Sequence, residues 1–311
     1  MQNMRVLIFV PFLIMATFLC SWGFYGHKFI TDWSVQSVPE ELNAMLYPYK
    51  EELKKKSILP DVLKNIEPNE YAHHYIDLEE YDTILSTQFN LDSCVKIENC
   101  WSKGVLPFIL IGEYNKLIES FKTKNLNKVI HQCGVLSHYA QDLCVPFHTT
   151  KNYDGQLTNQ HGIHALWETY LPEKFSNQYM LFGLEAHYET NVGERILREM
   201  YNSHKYVDHI LEKHLECQQE LKEKTFGFFI RNSKQQKGYS SEFIDCFHEK
   251  TNEEIESQLK KSIQLTSDLW YSAWISAGKP ILNSNEEVNF YSIFNQIDEF
   301  SPSKYNKRKH E

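Results

Sequence analysis

Residues 131–148 read HQCGVLSHYAQDLCVPFH, and this stretch decides how the chain is read. It belongs to a helix expected over roughly Leu126 to Leu143. Within it His138 and Asp142 are four residues apart and so project from one face. Pro146 stops the helix, and His148, six residues after Asp142, places a second imidazole near the same end. Two imidazoles and a carboxylate gathered in this way suit a metal. Zinc takes imidazole nitrogen and carboxylate oxygen at ~2.0 to 2.2 Å, and a catalytic zinc keeps one position open for water.

Working outward, the pattern repeats. His164 and Glu168 stand four apart on a helix expected to begin near Gly162 and to carry HALWETYL before Pro172. Upstream, HHYID supplies His74, with Asp77 three residues on, and LPD supplies Asp61. WGFYGH adds Trp22 and His27, with two glycines that let the backbone wrap closely. Singly, each pair is weak evidence, because HxxxD or HxxxE on a helix is more often a cap or a surface hydrogen bond. His204 and Asp208 show the same spacing, yet they fall in the charged amphipathic stretch YNSHKYVDHILEKH and read as a solvated face.

The rest of the chain reads as helix. From about Glu254 to Ala277, Leu259, Ile263, Trp270, Trp274 and Ala277 recur at spacings of three, four and seven until Gly278 and Pro280 intervene. Another helix starts near Pro107 and runs through PFILIGEYNKLIESF. Segments around 185–224 and 241–250 are also helical in pattern, while EFIDCF alone is ambiguous. No alternating strand run longer than about five residues stands out. The 12 Gly and 10 Pro are too few for a sandwich or propeller. With no internal repeat and no low-complexity linker, the expectation is an all-α, single-domain multi-helix bundle over 22–300.

Of the 311 residues, 42% are hydrophobic and 14% aromatic, which is ample for a core and excludes a disordered chain. The net charge of -9 disfavours a nonspecific grip on nucleic acid. Residues 6–20, VLIFVPFLIMATFLC behind Arg5, fit the apolar region of a secretory signal over 1–21 and are short for a membrane span. The expectation is export to the periplasm or the extracellular space. Cleavage after Ser21 would make Trp22 the amino terminus, whose α-amino group (pKa ~7.7 to 8.0) can bind a metal. Acylation of Cys20 is the alternative, disfavoured by the bulk of Leu19. Cys94, Cys100, Cys133, Cys144, Cys217 and Cys246 are an even set compatible with disulfides. Cys94 and Cys100 suit a small closed loop and Cys133 and Cys144 suit core thiols; the connectivity stays open. The tail 301–311 is basic and polar, a frayed end.

Taken together and in order, Trp22, His27, Asp61, His74, His138, Asp142, His148, His164 and Glu168 resemble the ligand series of the bacterial zinc-dependent phospholipase C enzymes and their relatives, the secreted single-strand-specific zinc nucleases. The HxxxDxxxxxH spacing and the start WGxxGH carry the resemblance, over residues 22–168. It implies an all-α fold around a trinuclear zinc cleft. One zinc would take Asp61, His74, His138 and Asp142. A second would take the Trp22 amino and carbonyl groups, His27 and the shared Asp142, and a third His148, His164 and Glu168. It also implies hydrolysis of a phosphodiester by metal-activated water, with Asp61 and Asp142 as the catalytic carboxylates.

The branch of the family is less sharply marked. Glu168 is similar to the phospholipases, whereas the nucleases usually have Asp there. The five-residue step from Trp22 to His27 is similar to the nucleases. Lys64 stands where the nucleases carry Arg and offers a charge to phosphate. Tyr75 and Asp77 occupy places where a ring can stack a base and an Asp can hold its edge, although both branches have such residues. The polar segment 149–162 between two ligands would border the cleft, with His161 near the site. The resemblance favours a phospholipase C-like phosphodiesterase over a single-strand-specific endonuclease or 3'-nucleotidase. A third reading is an inactive secreted binding module stabilised by zinc. No amphipathic interfacial helix is evident, so neither a stable membrane anchor after processing nor an obligate protein partner is expected.

Overall fold

The computed structural model describes residues 23–64, 66–67, 69–81, 99–231 and 234–282. Trp22, the segment 1–21, Cys94 and the tail 301–311 lie outside the described residues. Helix α1 (Gly23–Ser37) is followed by three short helices, α2 (Glu40–Leu46), α3 (Lys50–Lys56) and α4 (Leu59–Leu63). The sequence reading assigned no helix here, yet the charges are placed for it. Glu40 and Glu41 sit in the first turn of α2, and Glu51 and Glu52 open α3 while Lys54, Lys55 and Lys56 close it, each sign facing the favourable end of the helix dipole.

Helix α5 (Leu106–Lys122) has Pro107 in its first turn, as expected. In α6 (Leu126–Asp142) the side chain of Asn125 caps the start by accepting from the Lys128 amide at 2.9 Å. Helix α7 (Ile163–Ala165) runs through a π-helical stretch, Leu166–Tyr170, into α8 (Leu171–Phe175). Such stretches recur at functional sites, and this one holds Glu168.

The region around 185–224, helical in pattern, forms α9 (Val192–His204) and α10 (Val207–Leu221). His204 and Asp208 therefore sit on different helices. The absence of strands expected from the sequence is corrected by an antiparallel hairpin, β1 (Phe226–Arg231) and β2 (Lys234–Tyr239), with Phe226 opposite Tyr239 and Phe228 opposite Lys237. The segments at 241–250 and 254–277 join into α11 (Ser241–Ser276), capped where Ser240 Oγ accepts from the Phe243 amide at 3.0 Å. Among the described residues the fold is all-α apart from the hairpin.

Among the described residues two apolar clusters form the core. One gathers α5 and α6 around Trp270, whose ring is fully buried and whose Nε1 donates to the Cys133 carbonyl at 3.0 Å. The other packs Ile30, Phe147, Ile163, Trp167, Phe243 and Phe247. Truncating such a buried Trp to Ala costs about 3–5 kcal/mol, against about 0–1 kcal/mol for an exposed ion pair such as Lys122–Glu119; apolar packing holds the bundle. α1 and α11 contribute to both clusters, and the chain leaving α6 passes from the first at Cys144 to the second at Val145. The polar site lies along that seam. Cys217 and Cys246 form a disulfide between α10 and α11, while Cys133 and Cys144 are buried free thiols, as expected.

Candidate metal centre

Along the seam the structure brings together every expected ligand among the described residues. His27 comes from α1, Asp61 from α4, His74 from the 3-10 turn Glu70–His74, and His138 and Asp142 from α6. His148 ends the 3-10 turn Pro146–His148, and His164 and Glu168 come from α7 and the π-helical stretch. All are buried. They form three clusters that could each hold an ion: His27, Asp61 and His138; His74, His138 and Asp142; His148, His164 and Glu168. The first two share His138 and are linked further through Asp142, whose Oδ1 lies 3.4 Å from His27 Nε2 and whose Oδ2 lies 2.9 Å from His74 Nδ1 and 3.3 Å from His138 Nε2. Asp142 Oδ2 is also 3.6 Å from His148 Nδ1, which joins the third cluster to the pair.

Hydrogen bonds outside the clusters fix which nitrogen each ring offers. His138 Nδ1 donates to the Ser57 carbonyl at 2.7 Å, and His148 Nδ1 donates to the His74 carbonyl at 2.5 Å. His27 Nδ1 faces Gln141 Oε1 at 2.6 Å, while Gln141 Nε2 donates to Thr31 Oγ1 at 3.0 Å, so the amide oxygen is turned to the ring as acceptor. In each ring the proton sits on Nδ1 and Nε2 keeps its lone pair for the interior, the usual second layer of a metal site. His74 is turned the other way: its Nε2 lies 3.4 Å from Glu70 Oε1 and its Nδ1 faces inward. Gly134, one turn before His138, lets α3 come close. A Cβ there would lie 2.2 Å from Lys56 Cβ and 3.0 Å from its carbonyl carbon, and the next residue of that chain segment is Ser57.

These tautomers place acceptors against acceptors. His74 Nδ1 and His138 Nε2 are 2.9 Å apart with Asp142 Oδ2 beside both. Burial, reinforced by Lys64, His138 and His148, pushes the pKa of His74 well below the usual range, so a second proton on that ring is disfavoured. Burial and then His164 do the same to His148. For His138 burial opposes protonation, but Asp142 and Asp61 outweigh it and raise the pKa. Asp142 Oδ1, Asp61 Oδ2 and His148 Nε2 are buried without a hydrogen bond. Converging lone pairs and orphaned carboxylate oxygens are what a bound cation relieves, and a set made only of imidazole and carboxylate suits zinc. The residues fit the metal.

The expected substrate contacts fare differently. The Lys64 ammonium lies 2.6 Å from Asp61 Oδ1 with its side chain mostly buried, so it is part of the cluster's charge balance and no ordinary surface lysine. Tyr75 is a packing residue: its ring is buried and its hydroxyl donates to the Ser102 carbonyl at 3.2 Å. Asp77 is buried too, with its amide donating to the Lys103 carbonyl at 2.7 Å. His161 has an exposed ring and takes part through its carbonyl, which accepts from the Tyr239 hydroxyl at 2.8 Å. His204, read as solvated, meets Thr149 Oγ1 at 3.1 Å, next to His148.

Sequence reading missed Glu70, Tyr139 and Gln141. Tyr139 donates to Glu70, and His73 Nδ1 lies 3.2 Å from its other oxygen. Burial alone would raise the Glu70 carboxyl, but the hydrogen bonds from His73 and Tyr139 reverse this and hold it below the usual range. The signal was the four-residue step from Glu70 to His74 in EYAHH.

Compared with known proteins, the chain matches no family model and no curated protein. Among solved structures, the Clostridium perfringens alpha-toxin from an avian strain superposes with a TM-score of 0.51 at 14% identity, covering 85% of this chain and 66% of the toxin. The likeness is one of overall fold. The alpha toxin of Clostridium absonum superposes at 0.49 with 14% identity, over 86% of this chain and 65% of that one. The chain thus spans just under two thirds of either toxin structure.

Proposed function

We propose that this protein is an exported zinc-dependent phosphodiester hydrolase of phospholipase C type. The observation that carries the reading is the continuity of the three clusters through Asp142 and His138, which supports two close metal positions beside a third. Zinc bound there supplies Lewis acidity, polarising a phosphoryl oxygen and acidifying water at neutral pH. His27, Asp61, His74, His138 and Asp142 would hold the pair, completed by Trp22 at the amino terminus, and His148, His164 and Glu168 the third ion. Asp142 holds the two inner clusters in register. Asp61, paired with Lys64, stands at the edge of the inner clusters, placed to orient an attacking water. The preference for a phospholipid over a nucleic acid is supported by Glu168, by the net charge of -9, and by the burial of Tyr75, which removes the exposed ring a base would stack on.

The test is parallel hydrolysis of phosphatidylcholine micelles and denatured DNA by the zinc-loaded protein, with a chelated control. Chelator-sensitive release of phosphocholine supports the reading. Nucleotide release instead would assign the nuclease branch, and no release from either would leave a zinc-stabilised binding module. Mass spectrometry of the exported chain should find Trp22 first; an acylated Cys20 or a retained Met1 would remove the amino-terminal ligand.

A further inference from the structure

We propose that the β1–β2 hairpin docks the protein reversibly on a lipid surface bearing anionic headgroups. Side chains alternate along strands, so Phe226, Phe228, Lys237 and Tyr239 share one hairpin face by register. The base of this face is anchored. Phe226 stacks on Tyr239 at 5.2 Å, and Tyr239 stacks on the buried Phe243 at 4.7 Å. The Tyr239 hydroxyl also meets His214 Nε2 at 2.7 Å and donates to the His161 carbonyl. An isolated two-stranded hairpin is marginal in water, and this aromatic column holds it to the core. Farther from that anchor the apolar surface opens out, Phe226 being 42% exposed and Phe228 71%.

The charge around these rings is reversed relative to the whole chain. Within 222–239 the charged residues are Lys222, Glu223, Lys224, Arg231, Lys234 and Lys237, net positive in a protein of net charge -9. Lys222 and Lys224 are exposed at the hairpin base, and Lys237 Nζ lies 4.9 Å from the Phe226 ring centroid. Exposed phenylalanines in a lysine-rich segment, one of them under the Lys237 ammonium, are the composition of an interfacial element, apolar side chains entering the acyl boundary while ammonium groups meet phosphate. The sequence reading sought this in a helix; the fold supplies it in strands. Among the described residues no helix is long and apolar enough to cross a membrane. The column anchoring the hairpin also grips the segment leading to His164: the Tyr239 ring lies 3.3 Å from a Cβ built on Gly162. Docking would thus be tied to a ligand-bearing segment. The inference rests on the phospholipid reading above, since a lipid substrate is presented in such a surface.

Sedimentation of the zinc-loaded full chain with vesicles of phosphatidylcholine, alone or mixed with phosphatidylglycerol, tests it, with hydrolysis of a soluble phosphocholine ester followed in parallel. The expected result is salt-sensitive binding, stronger to the mixed vesicles. Phe228→Ser should lower the partition about tenfold or more. Lys222→Gln and Lys224→Gln should lower binding to mixed vesicles about fivefold each. All three variants should hydrolyse the soluble ester like the parent. Equal partitioning of Phe228→Ser and the parent overturns the proposal, as does a parent that ignores vesicles and instead self-associates through Phe228. Vesicle binding without ester hydrolysis supports the docking surface while removing the catalytic reading, and hydrolysis without vesicle binding does the reverse.

Discussion

Glu70 Oε1 stands 3.4 Å from His74 Nε2, on the far side of the ring from Asp142, whose Oδ2 lies 2.9 Å from Nδ1. The imidazole lies between two carboxylates, one inside the metal centre and one behind it, and its Nε2 makes no hydrogen bond. A carboxylate behind a ligand imidazole fixes its tautomer and raises its basicity, and its loss typically weakens metal binding 10- to 100-fold. Glu70→Ala should therefore lower zinc affinity by about tenfold or more, read by competition with a chromophoric chelator, with Glu70→Gln intermediate. Unchanged affinity in Glu70→Ala would show that His74 is held by its turn alone.

Gly134 is required by the approach of α3. Alanine there drives its Cβ into Lys56 beside Ser57, the residue whose carbonyl orients His138. Overpacking of this kind costs about 1–3 kcal/mol, so Gly134→Ala should lower the denaturation midpoint and loosen zinc together. Loss of stability with zinc affinity intact would separate the packing of α3 from the orientation of His138.

His214 predicts part of the acid sensitivity. Burial holds its folded-state pKa down at about 3, while an unfolded histidine titrates near ~6.5. Between those values the unfolded chain binds a proton that the native chain does not, so stability is complete above pH ~6.5 and falls as pH drops toward about 3, by up to ~1.4 kcal/mol per pH unit. From pH 7 to 5 this one ring should account for about 2 kcal/mol. His214→Gln should be less stable than the parent at pH 7 and show a flatter acid limb in urea unfolding. Parallel limbs would place the sensitivity elsewhere.

The disulfide closes a loop with a sequence separation of 29 around the hairpin. Chain-entropy reasoning gives about 3 to 4 kcal/mol for a loop of that length. Cys217→Ser should lose about that much in denaturant titration. A negligible loss would mean that aromatic packing alone fixes the hairpin.

The long helices were legible because their apolar faces repeat over several turns, as in PFILIGEYNKLIESF, and because Pro107, Pro146 and Gly278 punctuate them. The ligands were legible through HxxxD and HxxxE steps. The short helices α2, α3 and α4 were not, since each is only one or two turns long and is held by tertiary packing more than by its own pattern. FGFFIR has a strand's composition but lacks strict alternation, and its pairing with KQQKGY depends on a turn that periodicity does not register. Lys64 and Tyr75 could be placed only by the fold: the first is drawn to Asp61, and the second is turned inward. Glu70 and Gln141 act through a neighbour's ring, a role that spacing alone seldom marks.

The central claim is that the buried histidines and carboxylates are a metal site joined through Asp142. It is tested most directly by the zinc-to-protein ratio of the purified chain and of Asp142→Asn, measured by elemental analysis alongside chelator-sensitive phosphocholine release. Stoichiometric zinc and hydrolysis are expected in the parent, with the variant losing zinc from the inner clusters and nearly all activity while remaining folded. A parent free of stoichiometric metal, or a variant with full zinc content and undiminished hydrolysis, would contradict it.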